Sequence, residues 1–206
     1  MKSLAVAEGI HSTLCSGATG RDRFVGQDVK FKILDRSSQE EVADLFRSVF
    51  SSSEGEKEGE LIGTLAARLS SRTDNDEIVC ICAYDEEAIA GAIFFSRLRF
   101  DEPIVAYMLA PVAVGTKHQG IGVGQALINY GLKELRSRNV SVAVTYGNPS
   151  FYSKVGFQTL PESVILAPLK LSMPEGWLGQ SLKHEPIPTL IDRPRCVEEF
   201  NDPRYW

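Results

Sequence analysis

The residues best suited to chemistry form a glycine turn, QGIGVG, at residues 119–124. An apolar run ending at Val114 precedes this turn, and an amphipathic segment follows it. Glycines at alternate positions remove the side chains that would keep a ligand away from the backbone. The free N–H groups of the following helix then face outward beside its positive dipole end, an arrangement that suits a pyrophosphate. The turn therefore predicts a nucleotide-like cofactor.

Two common nucleotide sites fit this turn poorly. A dinucleotide site needs G-x-G-x-x-G and an acidic residue at the end of the second strand. Here the glycines stand at 120, 122 and 124, and the second strand ends in VTY at residues 144–146, without a carboxylate. A P-loop needs Gly-Lys-Ser/Thr, whereas Gln125 and Ala126 follow the last glycine. Glycines that serve only a tight turn remain open as an alternative.

The elements around the turn alternate between helix and strand. Strand, helix and strand over residues 108–145 form a βαβ unit, so its two strands should be parallel with a right-handed crossover. Apolar runs separated by turn residues predict an antiparallel meander before that unit. Two helices, joined by a hydrophilic connector, are predicted upstream. The predicted strands lie at 29–34, 78–84, 88–100, 104–114, 140–145, 157–160 and 164–171. The connector is predicted at 51–60, the helix of the βαβ unit at 122–138 and a short helix at 149–154.

Size and composition indicate one globular domain with extensions. The chain has 206 residues, 43% hydrophobic and 24% charged, values that are ordinary for a globular protein. We expect a flexible N-terminal extension at 1–27, a domain at 28–173, and an extended C-terminal tail at 174–206 packed on that domain. The net charge of −5 argues against nucleic-acid binding. The longest apolar runs are too short to span a membrane, so no membrane partner is expected.

A second motif follows the βαβ unit and, together with the glycine turn, indicates a protein family. The segment GNPSFYSKVGF at 147–157 contains Y-x-x-x-G-F, beginning at Tyr152. Together with the apolar strand and Q-G-x-G-x-G, it resembles the GNAT superfamily of acyl-CoA-dependent N-acetyltransferases, in particular its YhbS-like branch. The resemblance covers about residues 31–171. It implies an α+β (α/β) fold: a mixed, mostly antiparallel sheet of about six to seven strands, a β-α-β acyl-CoA site, and helices on both faces.

The resemblance also implies which residues bind the cofactor, acetyl-CoA, which acts as co-substrate. The backbone of the strand entering the turn would pair with the pantetheine amides, and the N–H groups of the turn would hold the pyrophosphate. The implied cofactor-binding residues are Val112, Ala113, Val114, Gln119, Gly120, Ile121, Gly122, Val123, Gly124, Gln125, Asn148 and Tyr152. No metal is expected, because the histidines are scattered and no ligand spacing is present. His118 and Lys117 are interpreted as exposed loop residues, and Asn148 chiefly as a helix cap.

Tyr152 stands at the family's position for the general acid. A phenol has an ordinary pKa of about 10, so it is protonated at neutral pH and can donate to the departing thiolate. A packing role for this aromatic ring is the alternative. No general base is assigned, since residues 105–114 contain no carboxylate or histidine. Tyr107, Glu60 and Glu102 are the ionisable side chains considered for that role.

The sequence thus predicts an acyl-CoA-dependent N-acetyltransferase. It would transfer an acetyl group from acetyl-CoA to an amine of a small molecule or peptide by direct attack in a ternary complex. A non-catalytic acyl-CoA-binding sensor or interaction module is the alternative, favoured by the missing base. The scattered free thiols, at Cys15, Cys80, Cys82 and Cys196, fit a reducing cytoplasm. A homodimer is a further expectation. The C-terminal tail is expected to pack on its own domain, and covering of the acceptor cleft or of a dimer partner is the alternative.

Overall fold

The protein is built on one mixed β-sheet. The computed structural model describes residues 29–72 and 76–206, so the predicted N-terminal extension, including Cys15, lies outside the described residues. Seven strands lie in the order β1-β2-β3-β4-β5-β7-β6. Within the described part of the chain, β4 and β5 are the only parallel neighbours, and the other neighbouring pairs are antiparallel. The strands are β1 Lys30–Ile33, β2 Ile78–Asp85, β3 Ala88–Leu98, β4 Ala106–Val114, β5 Val142–Tyr146, β6 Gln158–Thr159 and β7 Trp177–Ser181.

Helices cover both faces of this sheet, as predicted. Alternate side chains of β4 point to opposite faces, so Met108 and Ala110 join one buried cluster while Leu109 and Val112 join the other. The first cluster contains the inner faces of α1 and α2, and the second contains the inner face of α3. The helices are α1 Gln39–Glu54, α2 Glu56–Ser71, α3 Val123–Ser137 and the single turn α4 Pro149–Tyr152. The predicted fold class is confirmed.

The hydrophilic connector predicted at 51–60 is wrong. Helix α1 continues to Glu54 and α2 begins at Glu56, so Gly55 alone separates them, at φ +96°. Serine and glutamate are compatible with a helix, and their polarity here reflects an exposed helix surface rather than a loop. Gly59 allows the two helices to approach closely, because a Cβ there would lie 2.7 Å from the Arg47 carbonyl oxygen.

The strand predicted at 164–171 is also wrong. The seventh strand is β7, which lies within the segment expected to form an extended tail. It pairs with β5 on one side and β6 on the other, so this part of the segment belongs to the sheet. Residues 164–171 instead form a loop whose backbone contacts a side chain of β7: Trp177 is fully buried, and its Nε1 donates to the Ile165 carbonyl at 3.0 Å.

The chain after β7 crosses the face that carries α1 and α2. Arg195 forms an isolated antiparallel bridge with Arg99 at the end of β3. Three aromatic residues further along are buried in the same cluster as α2, namely Phe200, Tyr205 and Trp206. Arg72, which follows α2, forms an ion pair with the buried Glu199 at 2.9 Å. The segment therefore completes the apolar core on this face.

Candidate functional site

A cleft opens where β4 and β5 part. Their parallel pairing runs from Ala106 opposite Val142 to Leu109 opposite Thr145, and β4 then continues to Val114 with β3 as its one neighbour among the described strands. The hydroxyl of Thr145 donates to the Leu109 carbonyl at 2.8 Å, which marks the last contact before the strands separate. The predicted βαβ unit thus has one strand whose second edge becomes free at its carboxyl end.

The free edge of β4 presents backbone polar groups to the cleft. The N–H of Gly115 donates to the Ala90 carbonyl at 2.8 Å, so the backbone groups at this position face β3. Because these groups alternate along a strand, those of Val114 and Val112 face the opposite side, toward the cleft. Their side chains are buried on the α3 face of the sheet, whereas Ala113 is buried on the other face. The edge can therefore pair with an extended amide chain.

The Gln119 side chain forms a hydrogen bond with one of the backbone groups on the free edge of β4. Its Nε2 donates to the Val114 carbonyl at 2.8 Å. Sequence reasoning assigned Gln119 directly to the cofactor and missed this contact, since no local pattern indicates the acceptor of a glutamine side chain. The N–H and carbonyl of Val112 and the N–H of Val114 remain as the groups that the free edge offers to a ligand.

The glycine turn forms the mouth of the cleft. Gly120 has φ +73° and Gly122 has φ +89°, a left-handed backbone that only glycine adopts without strain. A Cβ added at either glycine would meet no atom of the described residues within 4 Å, so these residues leave open space around both glycines. Gly122 is the N-cap of α3, whose first turn carries no acidic side chain. Such an exposed helix N-terminus, with amides aimed outward, suits an anionic pyrophosphate.

The remaining residues of the turn divide between exposed and buried positions. Ile121 is exposed at its tip, at 42% of its accessible surface. Val123 and Gly124 are buried in the first turn of α3, and Gln125 is half-buried. The structure therefore separates the three glycines: two supply the turn's backbone conformation, and Gly124 lies within the helix. Spacing alone did not distinguish these roles.

His118 differs from its sequence interpretation. Its Nε2 lies 2.9 Å from Asp85 Oδ2, and its side chain is 22% exposed. The residue was predicted to be an exposed loop histidine, which is wrong, because Asp85 at the end of β2 is brought next to it by the sheet. Lys117 is exposed, as predicted.

The short helix α4 places Asn148 and Tyr152 beside the end of β5. Asn148 is the N-cap, and its side chain accepts a hydrogen bond from the Ser150 N–H at 2.9 Å. The predicted capping role is confirmed. Tyr152 is only 1% exposed, and its ring contacts those of Phe151 and Phe157 with centroids 5.1 and 5.7 Å apart. It belongs to the same buried cluster as Val112 on the free edge of β4.

Two of the three side chains named as possible general bases form contacts of their own, and the third lies in a turn. The hydroxyl of Tyr107 donates to the Asp76 carbonyl at 2.6 Å, in the part of β4 still paired with β5, and burial raises the pKa of this tyrosine. Glu102 lies in the turn between β3 and β4, at the end of β4 opposite the glycine turn. Glu60 is exposed on α2 and forms an ion pair with Arg47 at 3.1 Å.

Residues 29–72 and 76–206 contain neither a cluster of metal ligands nor a membrane-spanning helix. In this part of the chain, no group of three or more His, Cys, Asp or Glu side chains is arranged to hold a metal ion. No helix there is long and apolar enough to cross a membrane.

Comparisons with known proteins agree with this geometry. The family described as acetyltransferase (GNAT) domain matches residues 30–160. The uncharacterized N-acetyltransferase YjhQ of Escherichia coli K12 is 30% identical over 176 residues, which cover 82% of this chain and 92% of YjhQ.

Solved structures share the fold. The GNAT family N-acetyltransferase YhbS from Escherichia coli, crystallised with CoA, matches with a TM-score of 0.69 at 21% identity, over 85% of this chain and 93% of that chain. A GNAT family acetyltransferase from Brucella melitensis, crystallised with acetyl-CoA, matches with a TM-score of 0.58 at 20% identity, over 82% of this chain and 94% of that chain. The split strands, the open glycine turn and the matched residues lead to one conclusion: the chain belongs to the GNAT acetyltransferase family.

Proposed function

We propose that this protein transfers an acetyl group from acetyl-CoA to an amine of a small molecule or peptide, by direct attack in a ternary complex. As a GNAT family member, it is an acyl-CoA-dependent N-acetyltransferase with acetyl-CoA as co-substrate. The observation that carries the proposal is the free edge of β4 leading directly into the open glycine turn. One edge and one turn together suit a ligand with both an amide chain and a pyrophosphate.

This geometry supports our proposal for the cofactor-binding residues. The backbone groups of Val112 and the N–H of Val114 would pair with the pantetheine amides, as a neighbouring strand would. The N–H groups of residues 119–125 would hold the pyrophosphate, where side chains at Gly120 or Gly122 would intrude. Ala113 lies on the opposite face of this strand, and Asn148, which caps α4, is included in the proposed site because it follows directly after β5.

Tyr152 is our candidate for the general acid. Its position after the free end of β5, in one buried cluster with Val112, supports this role. The phenol would protonate the thiolate as it departs from the acetyl group. The acceptor amine would lose a proton to become a nucleophile, and we assign no residue to that step. We propose that the amine binds already deprotonated or gives its proton to a water chain.

Three further expectations remain proposals. The cytoplasm suits the buried thiols of Cys80 and Cys82, which no disulfide joins.

A homodimer is proposed, and analytical ultracentrifugation would measure the oligomeric state directly. We also propose that residues 28–173 form the catalytic domain and 174–206 a supporting C-terminal segment, with β7 counted as part of the sheet.

Binding of CoA by a glycine-turn variant tests the cofactor site. The change Gly122→Ala puts a Cβ on a left-handed backbone, which costs about 1–2 kcal/mol. If the turn relaxes to escape this strain, CoA binding must restore the left-handed conformation at this position. We therefore expect the affinity for CoA, measured by isothermal titration calorimetry, to fall about tenfold. Gly55→Ala is the matched control, since Gly55 also has positive φ and open surroundings but lies between α1 and α2. Equal affinity of both variants and wild type would contradict the proposed site.

Turnover distinguishes the enzyme from the alternative, a non-catalytic acyl-CoA sensor. Wild-type protein, acetyl-CoA and a broad panel of amines are followed by release of free thiol, at neutral and at high pH. An enzyme releases thiol with at least one amine, and faster at a pH where that amine is deprotonated. Tight acetyl-CoA binding with no thiol release across the panel would favour the sensor.

A further inference from the structure

The glycine turn is tied to a distant part of the chain by one side-chain contact. His118, the last residue of the 3₁₀ turn before Gln119, lies 2.9 Å through its Nε2 from Oδ2 of Asp85. Asp85 ends β2 and begins the tight turn into β3. The contact therefore joins the loop that would carry the pyrophosphate to the β2–β3 turn, two strands away from the cleft.

Other contacts hold the loop on the β4 side of His118. The Gly115 N–H donates to the Ala90 carbonyl at 2.8 Å, and the His118 N–H donates to the Gly115 carbonyl at 2.7 Å. Gln119 Nε2 reaches back to the Val114 carbonyl. These bonds attach the beginning of the loop to β3 and β4. The two exposed glycines beyond them, Gly120 and Gly122, are surrounded by open space.

The His118–Asp85 contact acts locally on the loop. The imidazole of His118 donates to the Asp85 carboxylate when its Nε2 carries the proton. Both side chains are partly exposed, at 22% and 47%, so such a pair adds little to global stability. Its effect should therefore be local to the loop.

We propose that His118 is a positioning residue, which, through Asp85, holds the glycine turn in the conformation that binds the pyrophosphate of CoA. The inference rests on the proposed function. An ordered loop binds a ligand more tightly because less conformational freedom is lost on binding. The pair acts before the ligand arrives, and His118 itself need not touch the cofactor.

A double-mutant cycle on CoA affinity tests the pair. We expect His118→Ala and Asp85→Ala each to weaken CoA binding about fivefold, and the double variant to be no weaker than either, since both remove one link. His118→Gln and Asp85→Asn keep a donor and an acceptor, so their affinities should stay within about twofold of wild type. Losses that add in the double variant, or unchanged affinity of His118→Ala, would overturn the proposal.

The control is an ion pair of the same length elsewhere. Arg138 and Glu134 lie 2.9 Å apart near the far end of α3, with exposures of 23% and 27%. Glu134→Ala should leave the affinity for CoA unchanged. Its midpoint of thermal unfolding should shift by at least as much as that of the His118→Ala variant. A purely structural role for His118 would move the thermal midpoint without the coupled loss of affinity.

Hydrogen exchange separates this inference from the proposed function. Without ligand, the amides of residues 119–125 should exchange several-fold faster in His118→Ala than in wild type, whereas those of β3 should not change. If wild type fails to bind CoA but exchange rises as described, the proposed function fails and the positioning role stands. If wild type binds CoA and neither affinity nor exchange changes in His118→Ala, the positioning role fails alone.

Discussion

Tyr152 combines two properties that bear on its chemistry. Its ring is fixed by edge contacts to Phe151 and Phe157, and its backbone N–H donates to the Asn148 carbonyl at 3.2 Å. Packing and proton donation are compatible, because a fixed ring holds its hydroxyl in one place for transfer. The two interpretations differ in what removal of the hydroxyl alone would do.

The variant Tyr152→Phe keeps the ring and removes the proposed proton donor. We expect the turnover number to fall about 100-fold, since a general acid contributes roughly that factor or more. CoA affinity should change less than twofold, because the packing is retained. Thiol release with an accepted amine measures the first quantity, and calorimetry measures the second.

Tyr130→Phe serves as the control for this change. Tyr130 lies on α3 with 37% of its surface exposed and stacks on Phe31, away from the residues of α4. Its loss of a hydroxyl should leave turnover unaltered. A Tyr152→Phe protein as active as wild type would show that the ring serves packing only.

At the scale of single residues, the sequence predicted which residues form the turn and the helix cap better than it predicted which residues contact one another. The motifs singled out Gln119, Gly120, Gly122 and Asn148 correctly as turn and cap residues. The Asn148 cap was predictable because its donor lies two residues away. The contacts of Gln119 with β4 and of His118 with Asp85 were not predicted. Asp85 is 33 residues from His118 in sequence, and only the sheet brings the two together.

Among the elements, helices α1 and α2 pack closely against each other at two glycines. Gly59 and Gly63 both face α1, and added Cβ atoms would lie 2.7 Å from the Arg47 carbonyl oxygen and 2.8 Å from Arg47 Cβ, respectively. Both helices pack their apolar stripes on the sheet, so they cannot separate without loss of core contacts. The spacing between them is therefore set by glycine.

We expect Gly59→Ala to lower the free energy of unfolding by about 2 kcal/mol. The added methyl group meets backbone, and overpacking of this kind costs roughly 1–3 kcal/mol even though alanine is the better helix former. Urea unfolding followed by circular dichroism measures the change. Thr64→Ala, at an exposed position of the same helix, should stay within about 0.5 kcal/mol of wild type. If Gly59→Ala instead raised the free energy of unfolding, α1 and α2 would have to lie further apart than the structure shows.

The elements near the site were predicted well, and those far from it less so. Strands β2 to β5 and helix α3 follow clear periodicities and lie close to their predicted bounds. The prediction placed a strand at 164–171, where apolar residues are frequent, and missed β7. A strand between two others is chosen by its pairing partners, β5 and β6, and this choice is not visible in the local pattern.

For the whole molecule, the C-terminal segment is part of the core. Phe200 is fully buried in the cluster that contains α1 and α2, and Trp206 Nε1 donates to the Phe200 carbonyl at 2.9 Å. Trp206 in turn stacks on Tyr146 at the end of β5, with centroids 6.3 Å apart. The last strand of the βαβ unit and the C-terminal segment therefore support each other.

We expect Phe200→Ala to lower the free energy of unfolding by about 3–5 kcal/mol, the usual effect of truncating a buried phenylalanine. The unfolding transition, measured by tryptophan fluorescence and by circular dichroism, should shift as one cooperative step. Ile191→Ala is the control from the same segment. Because Ile191 is 83% exposed, its truncation should change the free energy of unfolding little. An effect of Phe200→Ala as small as that of Ile191→Ala would show that the segment is dispensable for folding.

The sequence by itself determined the glycine turn, the βαβ unit around it, the family and therefore the cofactor. These depend on local backbone requirements: glycine at positive φ, a helix starting after the turn, and periodicities of two and 3.6 residues. Only the tertiary structure decided that β4 parts from β5 at Leu109, that β7 completes the sheet, and that Asp85 lies against His118. Each of these is a contact between distant segments, selected by the packing of the whole chain.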